Sequence, residues 1–124
     1  MLIVGPSGSG KSDLALRLID RGAMLVSDDY TALEARGGRV IASPPANIAG
    51  RIEIRGVGIT EQPCAAEAPV ALLVEGGGTP ERMPEPRERR LCGIILPEVT
   101  LSLLEASAPL KVEAALHIHG LTFP

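Results

Sequence analysis

Aromatic side chains are nearly missing from this sequence: one Phe, one Tyr and no Trp in 124 residues. Any core must therefore be aliphatic, built from Leu, Ile, Val and Ala. Cysteine is scarce too. Cys64 and Cys92 are the only two, they have no CxxC spacing, and no signal peptide precedes them. Two ordinary thiols in a reduced, cytoplasmic protein are expected. No basic block is present and the net charge is −3, which argues against nucleic acid as a partner. Long apolar runs are absent as well. The longest is "APVALLV", far short of the roughly 20 residues needed to span a bilayer, so no membrane association is expected. What remains is a chain with 45% apolar residues, too hydrophobic to be disordered. Its length suits a single domain over residues 1–124, able to bury roughly two thirds of its unfolded surface.

The order of apolar runs and breakers predicts an α/β fold. "MLIV" directly before a glycine loop reads as a buried strand. "KSDLALRLIDRG" places Leu14, Leu18 and Ile19 at helical spacing, with Gly22 as a C-terminal stop. "AMLVSDD" reads as the next strand, which makes a βαβ-type opening. "GGRVIASPP" reads as turn, strand and proline stop. "GRIEIRGVGI" alternates and predicts a strand pair, or a strand entering a glycine turn. "APVALLVE" reads as a central buried strand. Residues 76–90 are rich in Gly, Pro and charge and read as a loop. "LCGIILP" and "EVTLSLL" read as further strands, and "LKVEAALHIHG" as a helix.

The segment "GPSGSGKS" carries the chemistry. Gly5, Gly10, Lys11 and Ser12 match G-x-x-x-x-G-K-[ST] without a gap. Glycines let successive backbone N–H groups turn inward around phosphate oxygens. The following helix adds free N–H groups and the positive end of its dipole. Residues Gly5, Pro6, Ser7, Gly8, Ser9, Gly10, Lys11 and Ser12 are therefore the predicted nucleotide cradle. Lys11 is placed to reach the β- and γ-phosphates, and Ser12 to offer its hydroxyl to Mg²⁺. An ordinary strand-to-helix turn would not need Lys11 and Ser12 both in place.

Asp28 and Asp29 end the apolar run after the helix. In a parallel sheet, the carboxyl ends of strands face the crevice that holds the phosphate loop. At least one carboxylate should then lie near the γ-phosphate, acting on Mg²⁺ or its water, or taking a proton from an attacking hydroxyl, a role worth about 10²–10⁴ in rate. The competing reading is a solvated turn.

With "GPSGSGKSDLALRLIDRGAMLVSDD" followed by "IEIRGVGI", the chain resembles the catalytic domain of HPr kinase/phosphorylase, in the short form of α-proteobacteria. The likeness is strong over residues 1–61. Beyond that it continues as local echoes at "TPERMPE", "LPEVTLSLL" and "KVEAAL". The resemblance implies a P-loop-containing sheet of the HPr kinase and phosphoenolpyruvate carboxykinase type with flanking helices. It implies ATP and Mg²⁺ as cofactors, a serine of an HPr-like phosphocarrier protein of the phosphotransferase system as acceptor, and a homo-oligomer, a hexamer. By the same resemblance Lys11 and Ser12 are the loop lysine and the metal-binding serine. Asp29, with Asp28 beside it, is the proton acceptor, Glu53 of "EIRG" a metal ligand, and Arg82 of "PERMPE" the catalytic arginine of a loop. The family also carries a catalytic histidine upstream of the loop strand, a position this chain does not contain. The expectation is thus a catalytic domain lacking its N-terminal strand or strands, and a weak enzyme until they are restored. The segment "LLEASAPLKV" keeps little of the family pattern tied to phosphorolysis, so the kinase activity is implied more directly than the phosphorylase activity.

Two other classes fit the loop alone. A small-molecule or nucleotide kinase also uses GxxxxGKS, although it needs an arginine-bearing lid and an acceptor pocket, and residues 76–90 are the one loop of suitable length. A nucleotide-sensing module would bind ATP and transfer nothing. The bland readings of the remaining polar residues are a structural role for His117 and His119, which would share a face on a strand but have no third ligand, and a solvated loop for "PEPRERR".

Overall fold

Leu2–Val4 forms the first strand, β1, in the computed structural model of the chain, which describes every residue from Met1 to Pro124. The glycine loop follows, and Lys11–Asp20 forms helix α1. Leu14 and Leu18, four residues apart on one face, are its buried positions. The helix closes where Gly22 predicts: the N–H groups of Gly22 and Ala23 donate to the carbonyls of Ile19 and Leu18, each at 3.0 Å, which satisfies two of the last open carbonyls.

Strands β2 (Ala32–Arg36) and β3 (Arg39–Ser43) form a hairpin, and β4 (Arg51–Ile54) and β5 (Gly58–Glu61) form another. Then come β6 (Ala68–Pro69), β7 (Leu73–Glu75), β8 (Arg87–Leu91), β9 (Ile94–Thr100) and helix α2 (Ala108–His119). The main sheet has the order β1-β7-β9-β8; β1 and β9 both run parallel to β7, and β8 returns antiparallel to β9. A second sheet, β2-β3-β6, and the β4–β5 hairpin complete the strands.

The core is aliphatic, as the lack of aromatics requires, and comes in two parts. Leu14 and Leu18 of α1 pack with Leu72, Val74 of β7, Leu103, and Ala108 and Val112 of α2. Val40 and Ala42 of β3 pack with Val70 and Leu96 of β9, which joins the second sheet to the first. Polar clasps add orientation. Arg21 of α1 grips Glu113 of α2 through two hydrogen bonds of 2.6 and 2.8 Å. Arg17 donates to the carbonyls of Leu103 and, at 2.9 Å, Glu105.

Several sequence expectations need correction. The 23–29 segment is not a strand of the main sheet: only Leu25 bridges, to Cys64, and Met24 is 63% exposed. The parallel neighbour of β1 is β7, which comes much later in the chain. The "ALEAR" strand β2 was not foreseen; its outward face is charged and its residues are mostly exposed, so it lacks a clear apolar alternation. The run "APVALLVE" divides into β6 and β7 rather than forming one strand. Within the charged segment 76–90, "RERR" is not loop but the greater part of β8, an edge strand whose charges suit a position open to water on one side. The two strand-like runs after it merge into β9. The helix expected over "LKVEAALHIHG" is present as α2, and on it His117 and His119, two apart, point away from each other.

Candidate active site

Helix α1 begins at the loop with Gly10 as its N-cap, in the left-handed region at φ 98°, and no side chain caps it. The first intrahelical bond is Leu14 N–H to Gly10 O at 2.9 Å. The amides of Lys11, Ser12 and Asp13 precede it and have no intrahelical acceptor. Those donors and the dipole make this end of α1 attractive to an anion. Within the loop, Ser9 Oγ is buried with no hydrogen-bond partner, and buried polar atoms are ordinarily satisfied. Lys11 Nζ is drawn back over the loop, donating to Gly5 O at 2.7 Å and Pro6 O at 2.9 Å. An ammonium has three donors, so one remains to meet a ligand.

The acidic pair reaches this loop although it does not end a sheet strand. Ser12 Oγ donates to Asp28 Oδ1 at 2.7 Å. Asp28 Oδ2 accepts the backbone N–H of Glu53 at 3.1 Å, which seats β4 against the acidic pair. Both oxygens of Asp28 are thereby occupied. Asp29 differs: its backbone is left-handed at φ 60°, and its carboxylate makes no hydrogen bond or ion pair within the chain. Asp and Asn tolerate that backbone region better than most residues, and such conformations concentrate at functional sites. Lys11, Ser12, Asp28 and Asp29 together line one end of a cavity of about 280 Å³, whose other walls include Ile3, Ala15 and Leu18.

The remaining predicted residues bring no side chain into that convergence. Glu53 is on β4 next to Asp28, with an exposed side chain and only its backbone engaged. Arg82 is exposed in the 76–86 loop and has no ion pair or hydrogen bond. No three His, Cys, Asp or Glu side chains converge at metal-binding distance. The Ser12 hydroxyl against the Asp28 carboxylate, beside free helix amides, fits a magnesium-bound triphosphate.

Two neighbours of the loop escaped the sequence reading. Leu104 lies over Gly10: a Cβ there would stand 2.5 Å from Leu104 Cδ2. Glu75 ends β7 beside Val4, the residue before Gly5. The signal for Glu75 was an acidic residue between a buried strand and "GGG".

A glycine loop between a parallel strand and a helix, with a hydroxyl joined to an acidic pair, is the feature that stands out in this mixed α/β fold. The family model described as the HPr serine kinase C-terminal domain matches residues 1–63, and the chain belongs to that family. An HPr kinase/phosphorylase from Clostridium tetani (strain Massachusetts / E88) is 46% identical over 63 residues, covering 51% of this chain and 21% of the relative. One from Brevibacillus brevis (strain 47 / JCM 6285 / NBRC 100599) is 48% identical over 60 residues, covering 48% and 19%. The chain thus spans about a fifth of the length of these curated relatives. The likeness extends further in three dimensions. The solved structure of the HPr(Ser) kinase/phosphatase from Coxiella burnetii matches with a TM-score of 0.81 and 32% identity, covering 94% of this chain and 85% of that one. No helix is long and apolar enough to cross a membrane.

Proposed function

We propose that this chain binds ATP with Mg²⁺ at Gly5–Ser12 and transfers the γ-phosphoryl group to a serine hydroxyl of an HPr-like phosphocarrier protein. The observation that carries the reading is the Ser12–Asp28 hydrogen bond of 2.7 Å, because it brings the acidic pair to the helix end where phosphates would bind. A bound ATP would supply the phosphoryl group, and Mg²⁺ held beside it would supply charge screening of its oxygens. The amides at the start of α1 hold anionic oxygens, and Lys11 turns its free N–H toward them. Ser12 and Asp28 hold the metal side, with Glu53 next to them. Asp29, the unengaged carboxylate, accepts the serine proton as the serine O–P bond forms and the bond from the γ-phosphorus to the bridging oxygen breaks, leaving ADP. Arg82, in the exposed loop of glycines and prolines, neutralises charge on the transferring group, a role in which an arginine is worth about 10³–10⁵ in rate. The names of the relatives, which pair kinase with phosphorylase or phosphatase, support a phosphotransfer reading over a purely nucleotide-sensing one.

The test is phosphorylation of a purified HPr-like carrier, read by mass spectrometry at its serine, with the 124-residue chain and its Lys11→Ala variant. Transfer by the chain and its loss in the variant, together with loss of ATP binding by calorimetry, is expected. ATP binding without transfer to any carrier, by this chain and by an upstream-extended version alike, would favour the sensing module, and transfer to a small molecule would favour the small-molecule kinase.

A further inference from the structure

Residues 76–86 connect β7 to β8, and those two strands are not neighbours. β9 lies between them, so no backbone ladder joins the two stems of the loop. One side chain does. Glu75, the last residue of β7, accepts Gly77 N–H with Oε1 at 2.5 Å, in the outgoing stem. With Oε2 it accepts from Arg89 of β8 at 3.1 Å, in the returning stem. Arg89 reaches over β9, where Glu98 holds it as well. The Gly77 N–H first, with Arg89 adding, keeps the Glu75 carboxyl below its ordinary range. The contact to Arg89 is therefore between full charges at neutral pH.

The outgoing stem is closely seated. A Cβ on Gly76 would run into Leu103, and one on Gly77 would stand 2.7 Å from Pro6 Cδ. Gly76 N–H also donates to Val4 O at 2.8 Å. The loop thus leaves the sheet against Pro6 of the phosphate loop. From Thr79 to Pro86 every residue is exposed, Arg82 among them, so the stems carry most of what fixes its direction.

We propose that Glu75 is a positioning residue for this loop: by joining its two stems across β9, it holds Arg82 within reach of the phosphate loop. The proposal rests on the reading of Gly5–Ser12 and Arg82 as a phosphotransfer site. The ion pair takes the place of the ladder that adjacent strands would have. With it broken, the outgoing stem keeps its seat at Pro6 while the returning strand is tied to β9 alone. The exposed middle then samples more directions, and Arg82 spends less time at the transferring group. The phosphate cradle is untouched, so the rate should suffer and ATP affinity should not.

Glu75→Gln tests this. Its amide oxygen can still accept Gly77 N–H, but its NH₂ group then faces the Arg89 guanidinium, donor against donor. In the 124-residue chain, or in the upstream-extended version where the chain transfers too slowly to measure, the Kd for ATP should stay within about threefold while the transfer rate at saturating ATP falls about tenfold. Trypsin cleavage after Arg82, read from fragment masses without nucleotide, should speed up about threefold or more, because it follows the population of open loop. Arg82→Ala should lose about 10³-fold in rate. Adding Glu75→Gln to it should then cost less than about twofold more, since one residue acts through the other. A merely structural Glu75 would exact its full penalty in both backgrounds, and that result overturns the proposal. So does Glu75→Gln with an unchanged rate, with unchanged cleavage, or with ATP affinity lost in place of rate. Should Glu75→Gln not fold, Arg89→Gln breaks the same ion pair from β8 and takes its place in every measurement, with the same outcomes deciding. Arg82→Ala transferring at the parent rate removes Arg82 from the proposed function and this proposal with it. A slow Arg82→Ala beside a Glu75→Gln of parent rate overturns this proposal alone.

Discussion

Asp28 and Asp29 are adjacent in sequence yet differ in what surrounds them. Asp28 spends both oxygens, on Ser12 Oγ and on Glu53 N–H. A carboxylate so engaged is fixed in place and poorly free to accept a proton. Asp29 is held by its left-handed backbone instead, and its oxygens stay open toward the cavity it shares with Lys11 and Ser12. The two residues should therefore fail differently. Asp29→Asn keeps the backbone preference and the shape but removes the proton acceptor. It should leave ATP affinity and thermal stability near the parent values while transfer falls about 10²-fold or more. Asp28→Asn should weaken magnesium-dependent ATP binding and also loosen β4, because the amide has one acceptor oxygen where the carboxylate uses two, so it cannot accept both Ser12 Oγ–H and Glu53 N–H. Calorimetry for binding and a saturating-ATP rate for transfer separate them. If Asp28→Asn loses only rate and Asp29→Asn only affinity, the roles are reversed.

At the scale of elements, the loop and α1 were the most legible part of the chain, because their spacing is dictated locally: four apolar positions, a glycine loop, a helix period and Gly22. The position of Asp28 was legible for a reason that proved incomplete. The expected parallel strand over residues 23–29 is a single bridge at Leu25, and what brings Asp28 to the loop is its hydrogen bond to Ser12. The true neighbour of β1 is β7, some seventy positions later in the chain, and nothing local in a sequence announces pairing at that separation. Glu75 was hidden for the same reason, since its place beside Val4 exists only once β7 lies beside β1. Leu104 was hidden likewise and supplies a test of the loop. Gly10 is at φ 98° and its missing Cβ is the space that Leu104 occupies. Gly10→Ala should destabilise the chain by about 1–3 kcal/mol, combining left-handed strain with the clash. In a Leu104→Ala background the same change should cost less, because only the backbone part persists. Denaturant unfolding of the four proteins gives the coupling; strict additivity would show that Leu104 does not crowd the loop.

The whole molecule holds itself together with a small aliphatic core in two parts and ion pairs at its margins, and that division has consequences in acid. Glu75 and Glu113 both titrate below their ordinary value of 4.5, Glu75 chiefly through Gly77 N–H and Glu113 through Arg21. A lowered folded-state value means that the unfolded chain takes up protons first as pH falls. Their stabilisation is thus complete above about pH 5 and is lost as pH drops through the folded values. Glu75→Gln should flatten the fall in unfolding free energy between about pH 5 and pH 3, read by urea titration, and an unchanged slope would contradict the assignment. The other consequence concerns assembly. Helix α2 buries Ala108 and Val112 against the core, yet Leu110, Ala114 and Ile118, at four-residue spacing, form a second apolar stripe facing water, with Leu110 55% and Ile118 70% exposed. Leu121, 41% exposed, lies just beyond the end of the helix. A helix apolar on opposite sides is ordinarily covered on both, and a surface stripe of this kind is one that an interface can use. A second copy of the chain offers the same stripe, which suits a self-complementary contact about a two-fold axis. Such pairs are a building block that a hexamer, the form implied by resemblance, can be assembled from. Light scattering at micromolar concentration should therefore report more than one chain per particle. Ile118→Glu, at an exposed position that leaves the core untouched, should shift the protein toward monomer without lowering its thermal stability as a folded unit by more than about 1 kcal/mol. A parent chain that is already monomeric would remove the stripe from the account of assembly, and an oligomer unaffected by Ile118→Glu would place the contact elsewhere.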